Sequence, residues 1–307
     1  MGDIAASVLS KLKNKSKVFG ISYQQCLQLF FQEEFLRKLS KSEYADNFIL
    51  KGGLFIYTLT NFESRTTVDV DFLMRGLKHD LNCMDRIIFD ILTVPTGNDF
   101  MTFKAAKMEK IALHRKYYGV STQITGYIKN VRVPFNVDIG VGDIIIPNPE
   151  KHSIQTQLDG FDNPEILTYS LESTIAEKFD AILQRFELTG RMKDFYDIYY
   201  LSRTFDFDGL KLQTAIWETL QNRGTAYERD SFERMMTLSD DESMRIKWGY
   251  FMRTLDNHPI AFSSVMEGIA FFLQPVWNAM LKGEEFLDCW NSSVARWTGR
   301  SEKRGEA

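Results

Sequence analysis

Lys51-Gly52-Gly53-Leu54, followed by Arg65-Thr66-Thr67-Val68-Asp69-Val70-Asp71-Phe72, joins a glycine turn to a segment that carries two carboxylates. Alternate side chains of a β-strand point to the same face. Arg65, Thr67, Asp69 and Asp71 are therefore expected on one side, with Val68, Val70 and Phe72 on the other. Two acids about 7 Å apart on a rigid strand suit a hard cation such as Mg²⁺, which takes carboxylate and phosphate oxygens and keeps waters. The turn follows the apolar run Phe48-Ile49-Leu50 and precedes a helix-like Leu54 to Leu59. It would bring backbone N–H groups and a helix N-terminus close to an anion. With Lys51 before it and Arg65 beyond it, the segment reads as a triphosphate cradle opposite a metal site. The competing reading is an ordinary tight turn followed by a solvated acidic strand face.

A third acid lies in Arg132-Val133-Pro134-Phe135-Asn136-Val137-Asp138-Ile139-Gly140-Val141-Gly142-Asp143. Phe135, Val137, Ile139 and Val141 face one way in this alternation, and Asn136, Asp138, Gly140 and Gly142 the other. Glycines beside Asp138 on its own face suggest a place where another group approaches closely. Asp138 is thus a candidate third carboxylate, as metal ligand or as general base for an attacking hydroxyl.

Two helical segments carry the remaining charged groups. In Tyr169 to Leu183, Ser170 is a natural N-cap with Glu172 in the first turn, and Leu171, Ile175, Phe179 and Ile182 form an apolar stripe. Lys178 falls beside that stripe, either snorkelling along the core or presenting its ammonium to a ligand. In the segment from Gly190 to Leu201, Lys193 and Asp197 are spaced to meet on one face with Asp194, alongside Arg191.

Together these stretches resemble the AbiEii/AbiGii nucleotidyltransferase toxin family, which includes the MenT toxins. The matching residues are Lys51-Gly52-Gly53-Leu54 with Arg65 to Phe72, Val137 to Asp143, Glu172 to Phe179 and Gly190 to Asp197, in the family's order. The resemblance implies a DNA-polymerase-β-like nucleotidyltransferase core, NTP and Mg²⁺ as co-substrates, and the toxin of a bacterial toxin–antitoxin or phage-exclusion pair. Some relatives add nucleotides to the tRNA acceptor end and stop translation. Carried onto this chain, it implies catalytic roles for Asp69, Asp71, Lys178, Asp194 and Asp197. It also implies NTP binding by Lys51, Gly52, Gly53, Arg65, Thr67, Arg191 and Lys193, and metal binding by Asp69, Asp71 and Asp138. The turn reads Gly-Gly where the wider superfamily more often has Gly-Ser, so one hydroxyl that could bind phosphate is missing.

The 307-residue composition, 44% hydrophobic and 25% charged with a net charge of −4, is that of a soluble globular chain. That charge argues against indiscriminate nucleic-acid binding, although Lys104, Lys107, Lys110, His114, Arg115 and Lys116 form one local basic cluster and Lys11, Lys13, Lys15 and Lys17 another. Cys26, Cys83 and Cys289 lack metal-ligand spacing and suit a reducing cytoplasm. Met1 to Lys17 has no apolar core of a secretory signal, and Pro259 to Trp277 carries enough polar residues to read as a packed helix rather than a membrane span.

The expected fold class is α+β: a small mixed nucleotidyltransferase sheet flanked by helices, followed by a helical C-terminal lobe. Residues 1–150 would form the core with its N-terminal helices, residues 151–300 the helical lobe, and residues 301–307 a disordered tail. Helices are expected near 21–40 (amphipathic), 80–92, 210–222, 241–254 and 262–277, and two or three strands between about 108 and 146. An NTP with Mg²⁺ would bind in a cleft between the lobes. NMP would pass to an RNA acceptor, the tRNA 3′ end being the expected one, with a cognate antitoxin as a further partner. The alternatives are a small-molecule nucleotidyltransferase of the antibiotic-modifying type, with a narrow acidic acceptor pocket, and a nucleotide-binding protein without turnover.

Overall fold

In the computed structural model, residues 3–60, 62–65, 67–111, 118–255 and 259–299 are described, apart from the side chain of Glu187. His114, Arg115 and Lys116 of the basic cluster, and the tail 301–307, lie outside them. The chain divides into two compact units, residues 1–143 with 149–169, and residues 144–148 with 170–307. The boundary expected at residue 150 thus moves to 169/170, because the strands after Pro149 pair into the first unit's sheet.

The first unit runs α1 (Ile4–Phe19), α2 (Tyr23–Ser40), β1 (Phe48–Lys51), α3 (Gly52–Leu59), β2 (Val70–Met74), α4 (Leu81–Thr93), β3 (Thr102–Ala105), β4 (Glu109–Ile111), β5 (Gly119–Ile128), β6 (Val131–Val141), β7 (Glu150–Ser153) and β8 (Glu165–Thr168). Its eight strands form one mixed sheet in the order β3-β5-β6-β2-β1-β8-β7, with β4 also on β5. The pairs β2–β6 and β1–β8 are parallel and the others antiparallel. On β6 the expected alternation holds. Val133, Phe135, Val137 and Ile139 are buried, while Asn136, Asp138 and Gly140 are half-buried on the opposite face. Phe72 packs edge-on against Phe48, and Phe35 of α2 lies against both Phe72 and Phe135.

Two local expectations change. The strand carrying the acid pair begins only at Val70, so Asp69 precedes the ladder and Val68, expected in the core, is 57% exposed. The carbonyl of Val68 accepts from Gln28 Nε2 (2.6 Å) and Gln32 Nε2 (2.8 Å), which holds this approach as coil against α2. Nor is α2 amphipathic: every residue from Cys26 to Arg37 is buried. The helix can pass through the interior because its charged groups find partners there. Arg37 bridges to Glu34 (2.5 Å) and Glu33 (3.5 Å) and donates to the Asp162 carbonyl (2.8 Å). Glu34 also accepts from Thr96 and Asn98, and Glu33 from the Gln157 backbone N–H. Burial without such partners would cost several kcal/mol per ion, on the order seen for uncompensated charges.

The second unit contains α5 (Leu171–Arg185), α6 (Met192–Thr204), β9 (Phe207–Asp208), α7 (Gly209–Arg223), α8 (Ser231–Met236), α9 (Glu242–Met252), α10 (Phe262–Lys282), β10 (Cys289–Asn291) and β11 (Arg296–Thr298). Ser170 caps α5 by accepting from the Ser173 N–H, as its sequence position suggests. Trp277 of α10 packs against Phe179 and Phe232, and Ile175, Phe179 and Ile182 complete the buried stripe of α5. The region after Ser170 is not wholly helical. Trp290 and Trp297 pair across β10 and β11, which continue to β9 as a three-stranded sheet against Phe272. Among the described residues no helix is long and apolar enough to cross a membrane.

Candidate active site

In the first unit, the antiparallel register of β1 and β2 sets Lys51 beside Asp71, the parallel register of β2 and β6 sets Asp71 beside Asp138, and the antiparallel register of β5 and β6 sets Ser121 beside Asp138. Residues paired across a ladder share a face. Four strands therefore contribute one row, Ser121–Asp138–Asp71–Lys51. Asp138 Oδ1 accepts from Ser121 Oγ at 2.5 Å. Asp69, one residue short of β2, is joined to this face by Asn136, whose Nδ2 donates to its Oδ1 at 3.2 Å.

The glycine turn closes over the row. Gly52 has φ +70°, a conformation side-chain-bearing residues rarely adopt, and a Cβ there would land on the Asp71 carboxylate. A Cβ on Gly53 would stand 2.7 Å from Thr67 Oγ1 and 3.5 Å from Arg65 Nη1. Glycine is thus required at both places by side chains of the acid-bearing segment itself. The first turn of α3, Asp71, Thr67 and Arg65 form one constellation. Lys51 carries an ion pair to Asp143 (3.0 Å) with its ammonium over the Tyr169 ring, and is 14% exposed. The sequence reading had this lysine facing a nucleotide; in the structure Asp143 engages it.

The three acids do not form a preassembled cage. Among the described residues, no group of three or more His, Cys, Asp or Glu side chains converges to hold a metal ion. The oxygen donors present still fit Mg²⁺, which is commonly held by one or two carboxylates together with waters and substrate phosphates rather than by an all-protein shell. Asp71 and Asp138, adjacent in register and roofed by a turn with no side chains, offer such a partial set.

The second unit holds a different arrangement. Lys178 on α5 reaches Asp197 Oδ2 at 2.6 Å and Asp194 Oδ1 at 3.2 Å on α6, and Arg191 Nε donates to Asp194 Oδ2 at 2.5 Å. Both carboxylates are 1% exposed, Lys178 is 11% exposed and Arg191 46%. Burial pushes the Asp194 carboxyl upward, but the Lys178 and Arg191 charges outweigh it and hold the group below the usual carboxylate range. Asp197 takes Lys178 from the neighbouring helix, and Lys193 is exposed. Lys178 is therefore neither a plain snorkelling lysine nor an isolated cation: its head is fixed by two buried acids.

A family model described as nucleotidyl transferase AbiEii toxin, type IV TA system, matches residues 34–273. The chain belongs to this family. All the motif residues above fall within the matched stretch, so this AbiEii protein is a nucleotidyltransferase toxin by family. MenT4, a nucleotidyltransferase toxin from Mycobacterium tuberculosis H37Rv, has a similar fold at 14% identity and a TM-score of 0.52, with 92% of this chain and 100% of that chain covered. JHP933 from Helicobacter pylori aligns at 14% identity and a TM-score of 0.48 over 85% of this chain and 95% of that one. No curated protein matches the sequence.

Three participants escaped the sequence reading. Ser121 carries no motif signal, and its contact with Asp138 follows from a β5–β6 register that sequence does not specify. Asn136 was placed on the right face, but its partner Asp69 was not foreseen, because Asp69 was drawn into the strand. Arg223 bridges Glu177 (3.0 Å) and Asp180 (3.0 Å), so the residue beside Lys178 is itself engaged in a buried network between α5 and α7.

Proposed function

We propose that this AbiEii protein transfers a nucleoside monophosphate from an NTP to the 3′ hydroxyl of an RNA, the acceptor end of tRNA being the expected target, and thereby blocks translation. The observation that carries the reading is the row Asp138–Asp71 beneath the Gly52-Gly53 turn, with Thr67 and Arg65 at the same turn. The new bond joins the acceptor 3′ oxygen to the α-phosphorus, the bond to the bridging oxygen breaks to release pyrophosphate, and the hydroxyl proton passes to water. A Mg²⁺ ion, when bound, supplies charge neutralisation and lowers the pKa of the attacking hydroxyl.

Asp71, with Asp138 and Asp69 beside it, would hold that ion. Gly52 and Gly53 let the backbone of α3's first turn approach the phosphates, while Thr67 and Arg65 supply a hydroxyl and a cation there. Lys178 is assigned to the triphosphate charge, with Arg191 and Lys193 as further cations. Buried Asp194 and Asp197 position Lys178 rather than touch the nucleotide. Lys51, tied to Asp143, anchors the turn in the resting chain and joins the phosphates once substrate competes for it. Exposed Lys104, Lys107 and Lys110 on the β3–β4 side of the sheet give an RNA acceptor a local basic surface on an acidic chain. A cytoplasmic location and a cognate antitoxin belong to the same proposal, as for toxins generally.

The test is incubation of the purified protein with each labelled NTP, Mg²⁺ and total RNA. Label in a tRNA-sized band with the wild type and none with Asp71→Asn is the expected result. RNA left unlabelled while an aminoglycoside acquires label would replace this reading with the small-molecule one. Nucleotide binding without any transfer would leave a binding protein.

A further inference from the structure

Two acids of the first unit accept from neutral donors, Ser121 and Asn136, that have no assigned role. Ser121 Oγ reaches Asp138 Oδ1 at 2.5 Å from the strand on the far side of Asp71, and Asn136 Nδ2 reaches Asp69 Oδ1 at 3.2 Å from the strand that carries Asp138 itself. Asn136 and Asp138 are two apart on β6, so a single strand face delivers one carboxylate and the amide that holds another.

We infer that Ser121 and Asn136 are positioning residues that orient Asp138 and Asp69 as oxygen donors for a divalent cation. The inference rests on the metal-dependent transfer proposed above. A hydroxyl fixed on the outer flank of Asp138 limits the rotation of that side chain. Asp69 lies outside the ladder, without a strand partner of its own in the β2–β6 register, and Asn136 ties it to the sheet.

Outer hydrogen-bond partners of metal ligands typically change metal affinity by about 10–100-fold when removed. The test is direct Mn²⁺ binding to the full chain, followed by the electron-spin signal of free Mn²⁺ with a non-hydrolysable NTP present. Wild type, Ser121→Ala, Ser121→Thr, Asn136→Ala and Asp71→Asn are compared, with melting temperatures for all. Ser121→Ala and Asn136→Ala should each weaken Mn²⁺ binding about tenfold or more at unchanged melting temperature, and Ser121→Thr should restore the wild-type value. The transfer rate lost in Ser121→Ala should recover at high metal.

Wild-type affinity in both alanine variants, while Asp71→Asn loses the ion, would overturn this inference and leave the metal-dependent reading standing. Mn²⁺ binding absent from the wild type, or unaffected by Asp71→Asn, would sink both this inference and the metal site beneath it.

Discussion

The acids on the sheet of the first unit and the acids on α6 of the second have the same chemistry and opposite surroundings. Asp69 and Asp138 are half-buried and accept from a neutral amide and a neutral hydroxyl. Asp194 and Asp197 are buried and accept from Lys178 and Arg191. Carboxylates brought together on one sheet face are placed to share a ligand. Carboxylates sealed around a lysine hold two helices and fix an ammonium. Function should therefore be the first thing lost when a sheet acid is changed, and stability the first thing lost when a helix acid is changed.

The largest effect expected is from Asp71→Asn. It removes the charge at the centre of the row, and transfer should fall at least about a hundredfold, as when one preorganised electrostatic group is lost. Stability should stay within about 1 kcal/mol, because the amide has nearly the same shape beneath Gly52. Induced expression of the wild type should arrest bacterial growth and the variant should not. Urea titration beside the labelled-NTP assay checks the first pair; an active or unfolded Asp71→Asn would break the contrast.

Asp197→Ala tests the other side. It leaves the Lys178 ammonium facing one carboxylate in a mostly buried place, and removing one partner of a buried pair costs about 3–5 kcal/mol. Urea unfolding should show that loss as a lower midpoint at an unchanged slope. Lys178→Met keeps most of the stem but removes the cation that Asp194 and Asp197 share, so it should abolish transfer and cost at least as much stability as Asp197→Ala. Full transfer by Lys178→Met would reduce the triad to a structural clamp. The same triad gives a pH dependence with a definite sign. Because Asp194 is held below its ordinary value, its contribution is present above about pH 4 and is lost as pH falls through the lower folded value. Acid unfolding of Asp194→Asn should therefore be shallower than that of the wild type below pH 4.

The Gly53–Thr67 contact should give a smaller, paired effect. Gly53→Ala places a methyl 2.7 Å from Thr67 Oγ1 and 2.9 Å from its Cβ, so it should raise the KM for NTP as the segment shifts. Thr67→Gly relieves that clash but removes a hydroxyl from the turn. The double variant should bind NTP better than the sum of the single effects, with a coupling of about 1 kcal/mol. Strict additivity would show that the two residues do not share the cradle.

Much of this was legible in the sequence because it is local or periodic. The β6 alternation, the Ser170 cap and the helices starting near 80, 210, 241 and 262 needed no long-range information. The glycine turn and the acids were readable for the same reason. What could not be read depends on register and partners. Val68 was assigned to the core because alternation was extended back to Arg65, whereas two glutamines of α2 claim its carbonyl and the ladder begins at Val70. Local spacing points from Asp197 only to Lys193 one helical turn away, whereas its ion pair with Lys178, nineteen residues earlier, depends on helix packing. The interior charges of α2 were invisible because their partners, Gln157 and Asp162, lie more than a hundred residues on.

That α2 cluster supplies a third setting for a carboxylate, and the mildest effect. Glu33 is fully buried, and desolvation pushes it up to about 7 although Arg37 and the Gln157 N–H pull it down; Glu34 beside it adds to the rise. The groups around it are Arg37, Glu34, Gln157 and Cys26, whose own thiol is pushed up to about 12 by burial. An acid whose folded value lies above its unfolded one takes up a proton on folding. Its contribution to stability is therefore greatest at or below the unfolded value near 4.3, declines as pH rises, and levels off above about 7. This slope is opposite in sign to that of Asp194 and lies in a separate pH window. Glu33→Gln keeps an acceptor for the Gln157 N–H and removes the titration, so its stability should lose this decline between pH 5 and 7 while the acid limb below pH 4 persists. Urea midpoints at half-unit pH steps would show it. An unchanged slope in Glu33→Gln would mean that Arg37 keeps Glu33 ionised, moving this acid into the class of Asp194.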